Sequence, residues 1–362
     1  MDAGLFAANL QPTTISLILW QVEETLAEAQ NAAVDMELYK LNGYGVGGFF
    51  KAHKDTPRSE DFFGSLIIAL PTAHEGGELV LRRKNESWKV DFGSLTADAA
   101  GNPRIGFVAF YSDVEHEVLP VTSGCRTTLT YNLKWVTSPG RLPSSIQTIS
   151  DKRLQIVQSL ATMLADSEYL PNGGVLGFHL HHQYPFSTSN ALKGQIKDVI
   201  PWLKGSDRVF YDVCKELSLD IEAKFLFHAD TYTLFLCDRV VNLQNLGQGV
   251  ESSDQIIDIL NDEGNGGTLI LNEDRFRILG ASVEYRAKGA GLGVMEPVDW
   301  INRHDAENLI KEQCVAYGNE VETAYAYYKA CFILKLGRPG SREWYEAPPD
   351  ETQEEIAARR YR

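Results

Sequence analysis

The sequence predicts an α+β protein that is mainly β: a jelly-roll barrel with flanking helices, followed by a C-terminal α+β region. Three observations carry that expectation. Between about residues 36 and 135, short runs rich in β-branched and aromatic residues recur between glycine and proline signals: MELYKL, GGFFKAHKD, GSLIIAL, GELVLRR, RIGFVAFY, HEVLPV and CRTTLTYNLKW. At Thr137-Ser138-Pro139-Gly140, continued by Pro143-Ser144-Ser145, the composition changes, and helices then alternate with strands. The chain has 362 residues, enough for two domains at about 150 residues each. The expected division is a barrel domain over 1–140 and an α+β domain over 141–362.

Element by element, residues 14–33 read as an amphipathic helix that precedes the strands. Gly76-Gly77, after Pro71, reads as a hairpin turn between two of them. In the second region, 151–165 and 206–217 read as helices. GGVLGFHLHHQY, AKFLFHADTYTLFLCDRVV and GTLILNEDRFRIL read as strands. An acidic stretch, Asp350 to Glu355, leads into IAARRYR, a surface helix by its pattern.

Composition narrows the class. Hydrophobic residues make up 44% and charged residues 23%, values of a globular protein with a full core, which excludes a disordered or fibrous chain. The charge sum is 34 − 49 = −15. Such a surface repels phosphate backbones, so nucleic acid is disfavoured as the main partner. Five widely spaced cysteines (Cys125, Cys214, Cys237, Cys314 and Cys331) without a CxxC argue against a disulfide framework or a structural zinc site and favour a reducing compartment. The N-terminus lacks a basic region followed by a long apolar run, and the apolar run from Ile15 to Trp20 is too short to span a membrane. A soluble, cytoplasmic protein is expected.

The sharpest chemical feature is His53-Lys54-Asp55 on an expected strand. Side chains alternate along a strand, so His53 and Asp55 project together and Lys54 points away. His116, in another strand-like run, supplies a second imidazole. Two histidines and one carboxylate form the facial set that holds Fe(II) and leaves three positions open. Alone, an HxD pair reads as a hydrogen-bonded surface pair, and it recurs at His228-Ala229-Asp230. Arg126, ten residues after His116, adds weight to the first occurrence. On its strand Arg126, Thr128, Thr130 and Asn132 share one face, while Thr127, Leu129, Tyr131 and Leu133 share the other. A polar face turned into a barrel implies a site, and an arginine there can grip a carboxylate with two prongs while Thr128 adds a hydroxyl. The plain alternative for Arg126 is a surface ion pair.

These residues together resemble the 2-oxoglutarate/Fe(II)-dependent oxygenases, in particular the prolyl-4-hydroxylase-like branch. The matching elements are Tyr44, Gly47, Phe49, His53-Lys54-Asp55, the Gly76-Gly77-Glu78-Leu79 stretch, His116 and Arg126. The resemblance is dense over 36–135, and YGNEVETAYAYYKACFILK is similar to the distal part of such proteins. It implies a double-stranded β-helix with iron held by His53, Asp55 and His116, and 2-oxoglutarate anchored by Arg126 with Thr128 and Tyr44 assisting. It further implies O2 as a second cosubstrate, succinate and CO2 as products, and oxidation of a C–H bond in a small-molecule or amino-acid substrate by hydroxylation, desaturation or cyclisation. One departure stands out. Some prolyl hydroxylases hold 2-oxoglutarate through a tyrosine on the strand after the HxD; here that strand reads GSLIIAL, with Ser65 as its one hydroxyl.

Other features are weighed against this. His179, His181 and His182 lack a nearby carboxylate in sequence and read as structural or substrate-lining. Downstream of His228 stand only His304 and, ten residues later, Cys314, so the second half is either a degenerate barrel copy or an unrelated α+β domain. Gly45-Val46-Gly47-Gly48 lacks the lysine and the helix of a phosphate loop. Asn42-Gly43-Tyr44 echoes nucleic-acid N-alkyl demethylases, but Asn132 occupies the position of their second arginine. A non-catalytic barrel-fold binding protein is the remaining alternative.

Overall fold

Ten short strands build the N-terminal part of the computed structural model: β1 (Val34–Tyr44), β2 (Phe50–His53), β3 (Phe62–Ala69), β4 (His74–Gly76), β5 (Leu79–Arg83), β6 (Glu86–Val90), β7 (Gly106–Tyr111), β8 (Glu115–Val118), β9 (Val121–Gly124) and β10 (Arg126–Trp135). The structure describes residues 11–27, 33–55, 59, 61–84, 86–136, 151–187, 195–228, 234–239, 267–270, 292–295, 297–302, 325–328 and 330–343, with single positions 257, 260 and 287. The chain divides into two units, one of residues 1–148, 202–205 and 313–326, the other of 149–201, 206–312 and 327–362.

In the first unit, two four-stranded sheets run β1-β10-β3-β7 and β2-β8-β5-β6, and β4-β9 forms a two-stranded extension. All their pairings are antiparallel. Ile67 and Ala69 of β3, Phe110 of β7, Leu79 and Leu81 of β5, and Val118 of β8 form one core between the sheets. The result is a mainly β, jelly-roll-like unit.

The outer face of the first sheet carries a second core, in which Phe63, Leu66, Ile68, Leu129, Tyr131, Leu133 and Trp135 are buried. Phe63 and Leu66 share this face although three positions apart, because the β3–β10 register shifts near Gly64. Helix α1 (Pro12–Leu26) covers this face with Ile18 and Val22, one turn apart on its buried side. Burying each contributes about 1.5–3 kcal/mol. Pro12 opens α1, where its missing N–H is harmless. Buried Glu23 accepts the Val34 N–H at 2.9 Å, and the Tyr111 hydroxyl donates to the Leu26 carbonyl at 2.8 Å. The helix expected over 14–33 is thus shorter, and β1 has begun at Val34.

A second departure concerns Gly76-Gly77. It is not a hairpin turn, since β4 pairs with β9 while β5 pairs with β6 and β8. The two glycines instead form a corner at which one strand leaves the small sheet and enters the larger one. Opposite them Pro120 accepts the Gly77 N–H, and Glu78 accepts the Leu119 N–H.

A segment distant in sequence, 202–205, joins this unit. Trp202 packs against the outer core, Leu203 is fully buried, and buried Lys204 donates to Ser112 Oγ at 3.0 Å. Ser112 begins the turn between β7 and β8, and its N–H is held by the Phe63 carbonyl.

The second unit contains a mixed seven-stranded sheet in the spatial order Gly293–Met295, Thr268–Ile270, Leu234–Cys237, Asp220–His228, Ala330–Leu336, Gly174–His179, Val298–Trp300. Helices Asp151–Ala165 and Gly205–Glu216 lie near their expected places. Buried Arg342 donates to the carbonyls of Leu164, Asp166, Tyr169, Leu170 and Gly337, closing the C-terminal end of the first helix. The 137–140 break, Asp230, His304, Cys314 and the acidic 350–355 stretch lie outside the described residues.

A buried ammonium that loses a hydrogen-bond acceptor retains its desolvation penalty. Ser112→Ala is therefore expected to destabilise the unit by about 1–3 kcal/mol, measured as a shift in the urea midpoint. An unchanged midpoint would remove Lys204 from the set of residues that hold the β7–β8 turn.

Candidate active site

β2 and β8 pair so that His53 stands directly opposite His116. Their ring centroids are 4.2 Å apart. β2 ends at His53, so Asp55 lies beyond the strand expected to carry it, yet its carboxylate reaches the same point. One ligand atom each from His53, Asp55 and His116 lies within 4.8 Å of the others, and His116 Nε2 is 3.8 Å from Asp55 Oδ1. The Nδ1 atoms of His53 and His116 meet the carbonyls of Lys51 at 2.9 Å and Val114 at 3.1 Å. A carbonyl only accepts, so both Nδ1 atoms donate a proton to it, and in the neutral tautomer that this selects, the lone pair lies on Nε2. Burial, and then the neighbouring His116, push the His53 pKa down, which favours the neutral ring that a metal requires. Phe50 packs edge-on to His53 and Phe110 leans on His116, at centroid distances of 4.4 and 4.8 Å. This set fits a divalent metal, with two imidazoles of fixed tautomer and a carboxylate.

Glu115 and Glu117, on either side of His116, turn to the opposite face of β8, and both pair with Arg82. The Ser65 hydroxyl donates to Asp55 Oδ2 at 2.8 Å.

The inner face of β10 has the expected alternation: Arg126, Thr128 and Asn132 are buried on it, while Leu129, Tyr131 and Leu133 enter the outer core. Thr130 accepts from Asn42 Nδ2. Arg126 is only 1% exposed. Its guanidinium carbon lies 5.3 Å from the ring centroid of Tyr44, its cross-strand partner, and 5.4 Å from that of Phe92. Nε and Nη2 have no hydrogen-bond partner among the described residues. A buried cation with idle donors is costly unless an anion completes it. Burial lowers the Arg126 pKa, and it raises that of Tyr44 against the opposing pull of Arg126. A dicarboxylate end fits here: two donor nitrogens left over, a charge to neutralise, and walls of aromatic carbon.

Gly77 makes room for this arginine. Its φ is +69°, and a Cβ there would meet Val121 Cγ2 at 2.8 Å and Arg126 Cδ at 3.0 Å. Gly47, φ +79°, ties the loop before β2 to the Val121 carbonyl. Phe49 on that loop is exposed. Phe92, on the short helix α2 (Phe92–Leu95) capped by Asp91, is a site residue that the sequence reading missed. Ser65 was noted as the one hydroxyl of its strand, but its pairing with Asp55 was not foreseen. The available signal was parity, since Ser65 shares its face of β3 with Ile67 and Ala69 and is the one polar side chain among them.

The histidine cluster at 179–182 has a nearby carboxylate, distant in sequence. Asp207 accepts the N–H groups of His181 and His182 and the Tyr184 hydroxyl at 2.8–2.9 Å. Burial raises its pKa, opposed by His182 and these donors. The His179 ring stacks on Trp300 at 4.3 Å. Among the described residues the one set of three or more with metal-holding geometry is His53, Asp55 and His116.

Fold and site together define a jelly-roll-like module with a two-histidine, one-carboxylate centre beside an anion-seeking arginine. Residues 39–134 match the family model of the 2OG-Fe(II) oxygenase superfamily. No curated protein sequence matches the chain. Among solved structures it is similar to an oxidoreductase of the 2OG-Fe(II) oxygenase family from Burkholderia pseudomallei, with 24% identity over 28% of this chain and 45% of that one and a TM-score of 0.23. A Pseudomonas putida prolyl-4-hydroxylase has 19% identity over 34% of this chain and 61% of that one, TM-score 0.25. The viral collagen prolyl hydroxylase of Paramecium Bursaria Chlorella virus-1 has 15% identity over 36% and 78%, TM-score 0.27. The chain spans about half the length of the first of these.

Because Glu117 faces away from the centre, Glu117→Gln is expected to bind metal with wild-type affinity in a Co(II) titration. Loss of binding would place β8 one residue out of the described register.

Proposed function

We propose that this chain is an Fe(II)- and 2-oxoglutarate-dependent dioxygenase of the prolyl-4-hydroxylase-like branch, with residues 1–140 folded as a double-stranded β-helix. The observation that carries this reading is the buried guanidinium of Arg126, whose Nε and Nη2 have no hydrogen-bond partner among the described residues, in the same unit as the His53, Asp55, His116 set. His53 and His116 would hold the metal through Nε2, and Asp55 through a carboxylate oxygen. Arg126 would take the distal carboxylate of 2-oxoglutarate, with the Tyr44 and Thr128 hydroxyls as further donors. When bound, iron and 2-oxoglutarate supply O2 activation, coupled to the loss of CO2 and formation of succinate.

The protein's own part is to bind, orient and exclude water. The carbonyls of Lys51 and Val114 keep both imidazoles in the metal-binding tautomer. Tyr44 and Phe92 dry the guanidinium and so strengthen its grip on a carboxylate. The substrate reading is a small molecule or amino-acid side chain, oxidised at a C–H bond by hydroxylation, desaturation or cyclisation. The net charge of −15 and Asn132 in place of a second arginine weigh against a nucleic-acid substrate. Cys125, Cys214, Cys237 and Cys331 are free thiols, in keeping with a cytoplasmic setting. Residues 141–362 are proposed to shape substrate access, apart from 202–205 and 313–326, which belong to the first unit.

Two tests bear on this reading. Asp55→Ala should lose most metal affinity and all 2-oxoglutarate turnover, followed as succinate release; normal iron content and turnover would sink the metal assignment. Arg126→Ala should raise the apparent KM for 2-oxoglutarate. Leaving a carboxylate without its counter-charge costs about 2–5 kcal/mol, or roughly 30-fold to several thousand-fold. Arg126→Lys should lie between, and Thr128→Ala should lose about 1 kcal/mol. The ligand-free Arg126→Ala protein should melt no lower than wild type, because an unpaired buried charge has been removed, but 2-oxoglutarate should no longer raise its melting temperature. An unchanged KM would place the dicarboxylate elsewhere.

A further inference from the structure

We infer that Ser65 is a positioning residue of the metal centre, which makes Asp55 a one-oxygen ligand. The inference rests on the assignment of His53, Asp55 and His116 as metal ligands. The two carboxylate oxygens of Asp55 have different surroundings. Oδ2 accepts the Ser65 hydroxyl at 2.8 Å, whereas Oδ1 faces the Nε2 of His116 at 3.8 Å. Ser65 is itself buried, on the inner face of β3, a strand with both neighbours in place: Asn132 stands opposite it on β10 and Phe110 on β7. Its position is therefore set by the centre of a sheet, whereas Asp55 lies two residues past the end of β2. Next to it, Gly64 permits the close approach of β3 to β7, since a Cβ there would collide with the Phe110 carbonyl.

The chemical consequence concerns the number of open positions. A carboxylate that offers both oxygens, added to two imidazoles, makes four donor atoms. A carboxylate with one oxygen engaged by a hydroxyl makes three, which preserves the openings that the two-histidine, one-carboxylate arrangement is used for. A hydrogen bond to the non-binding oxygen also fixes the carboxylate's rotation before metal arrives, and partners of this kind typically contribute 10–100-fold in metal affinity.

The test is a Co(II) titration of the full-length protein, monitored by its visible d–d bands, for wild type, Ser65→Ala, Ser65→Thr and His116→Ala. Expected are a Ser65→Ala protein that melts normally without metal, binds Co(II) about 10–100-fold more weakly and shows shifted bands, and a Ser65→Thr protein that recovers both affinity and bands. A purely structural serine would change the melting temperature and leave the bands in place. Ser65→Ala with wild-type affinity and bands, while His116→Ala fails to bind, overturns the role of Ser65 and leaves the metal site standing. Ser65→Thr as weak as Ser65→Ala, with both melting normally, also overturns it. A His116→Ala protein that binds like wild type, or a wild type that does not bind, overturns the ligand assignment and this inference with it.

Discussion

Everything in the first unit depends on one constraint: an antiparallel sandwich must fill its interior with every second residue of every strand. In β10 and β3 that rule sends Arg126, Thr128, Asn132 and Ser65 inward while it sends Leu129, Tyr131, Leu133, Leu66 and Ile68 outward. A polar interior row of this kind destabilises a small fold. The outer face compensates with a core of its own, roofed by α1, so that the sheet is apolar on the side away from the site. Stability and chemistry are thereby assigned to opposite faces of the same strands, and each can vary without remaking the other.

Much of this was legible in the sequence because it follows from period two. The alternation of β10 and the outward turn of Glu115 and Glu117 follow from counting along single strands, and the two histidines and one carboxylate were legible as a set of residue types. What was not legible comes from pairing between strands and from packing. Gly76-Gly77 has the composition of a hairpin, and only the partners of β4 and β5 reveal a corner between sheets. Phe92 belongs to the site because α2 places it over Arg126, which no local pattern announces. Asp207 gathers the backbone of His181 and His182 from about 25 residues away, so a search for nearby carboxylates could not find it. HxD was read as strand throughout, whereas the strand stops at its histidine; the carboxylate's direction comes from a hydroxyl on β3.

The centre is also an instance of charge placed before its partner. Arg126 is dried by Tyr44 and Phe92 whether or not an anion is present, and both imidazoles are committed to one tautomer by carbonyls two residues away. Such arrangement in advance lowers the reorganisation needed on binding. It also explains a glycine at position 77, where a side chain would meet the stem of the arginine.

The contribution of Trp202 to Lys204 has a consequence for how the protein is made. The strands β1 to β10 have left the ribosome once Trp135 has emerged, yet Lys204 follows 204 − 135 = 69 residues later. At about 5–20 residues per second, the barrel waits roughly 3–14 s with the place of Trp202 on its outer core uncovered and the β7–β8 turn lacking its ammonium. Nascent chains of intermediate length therefore present this β-sandwich with the flank that Trp202 covers still open to solvent.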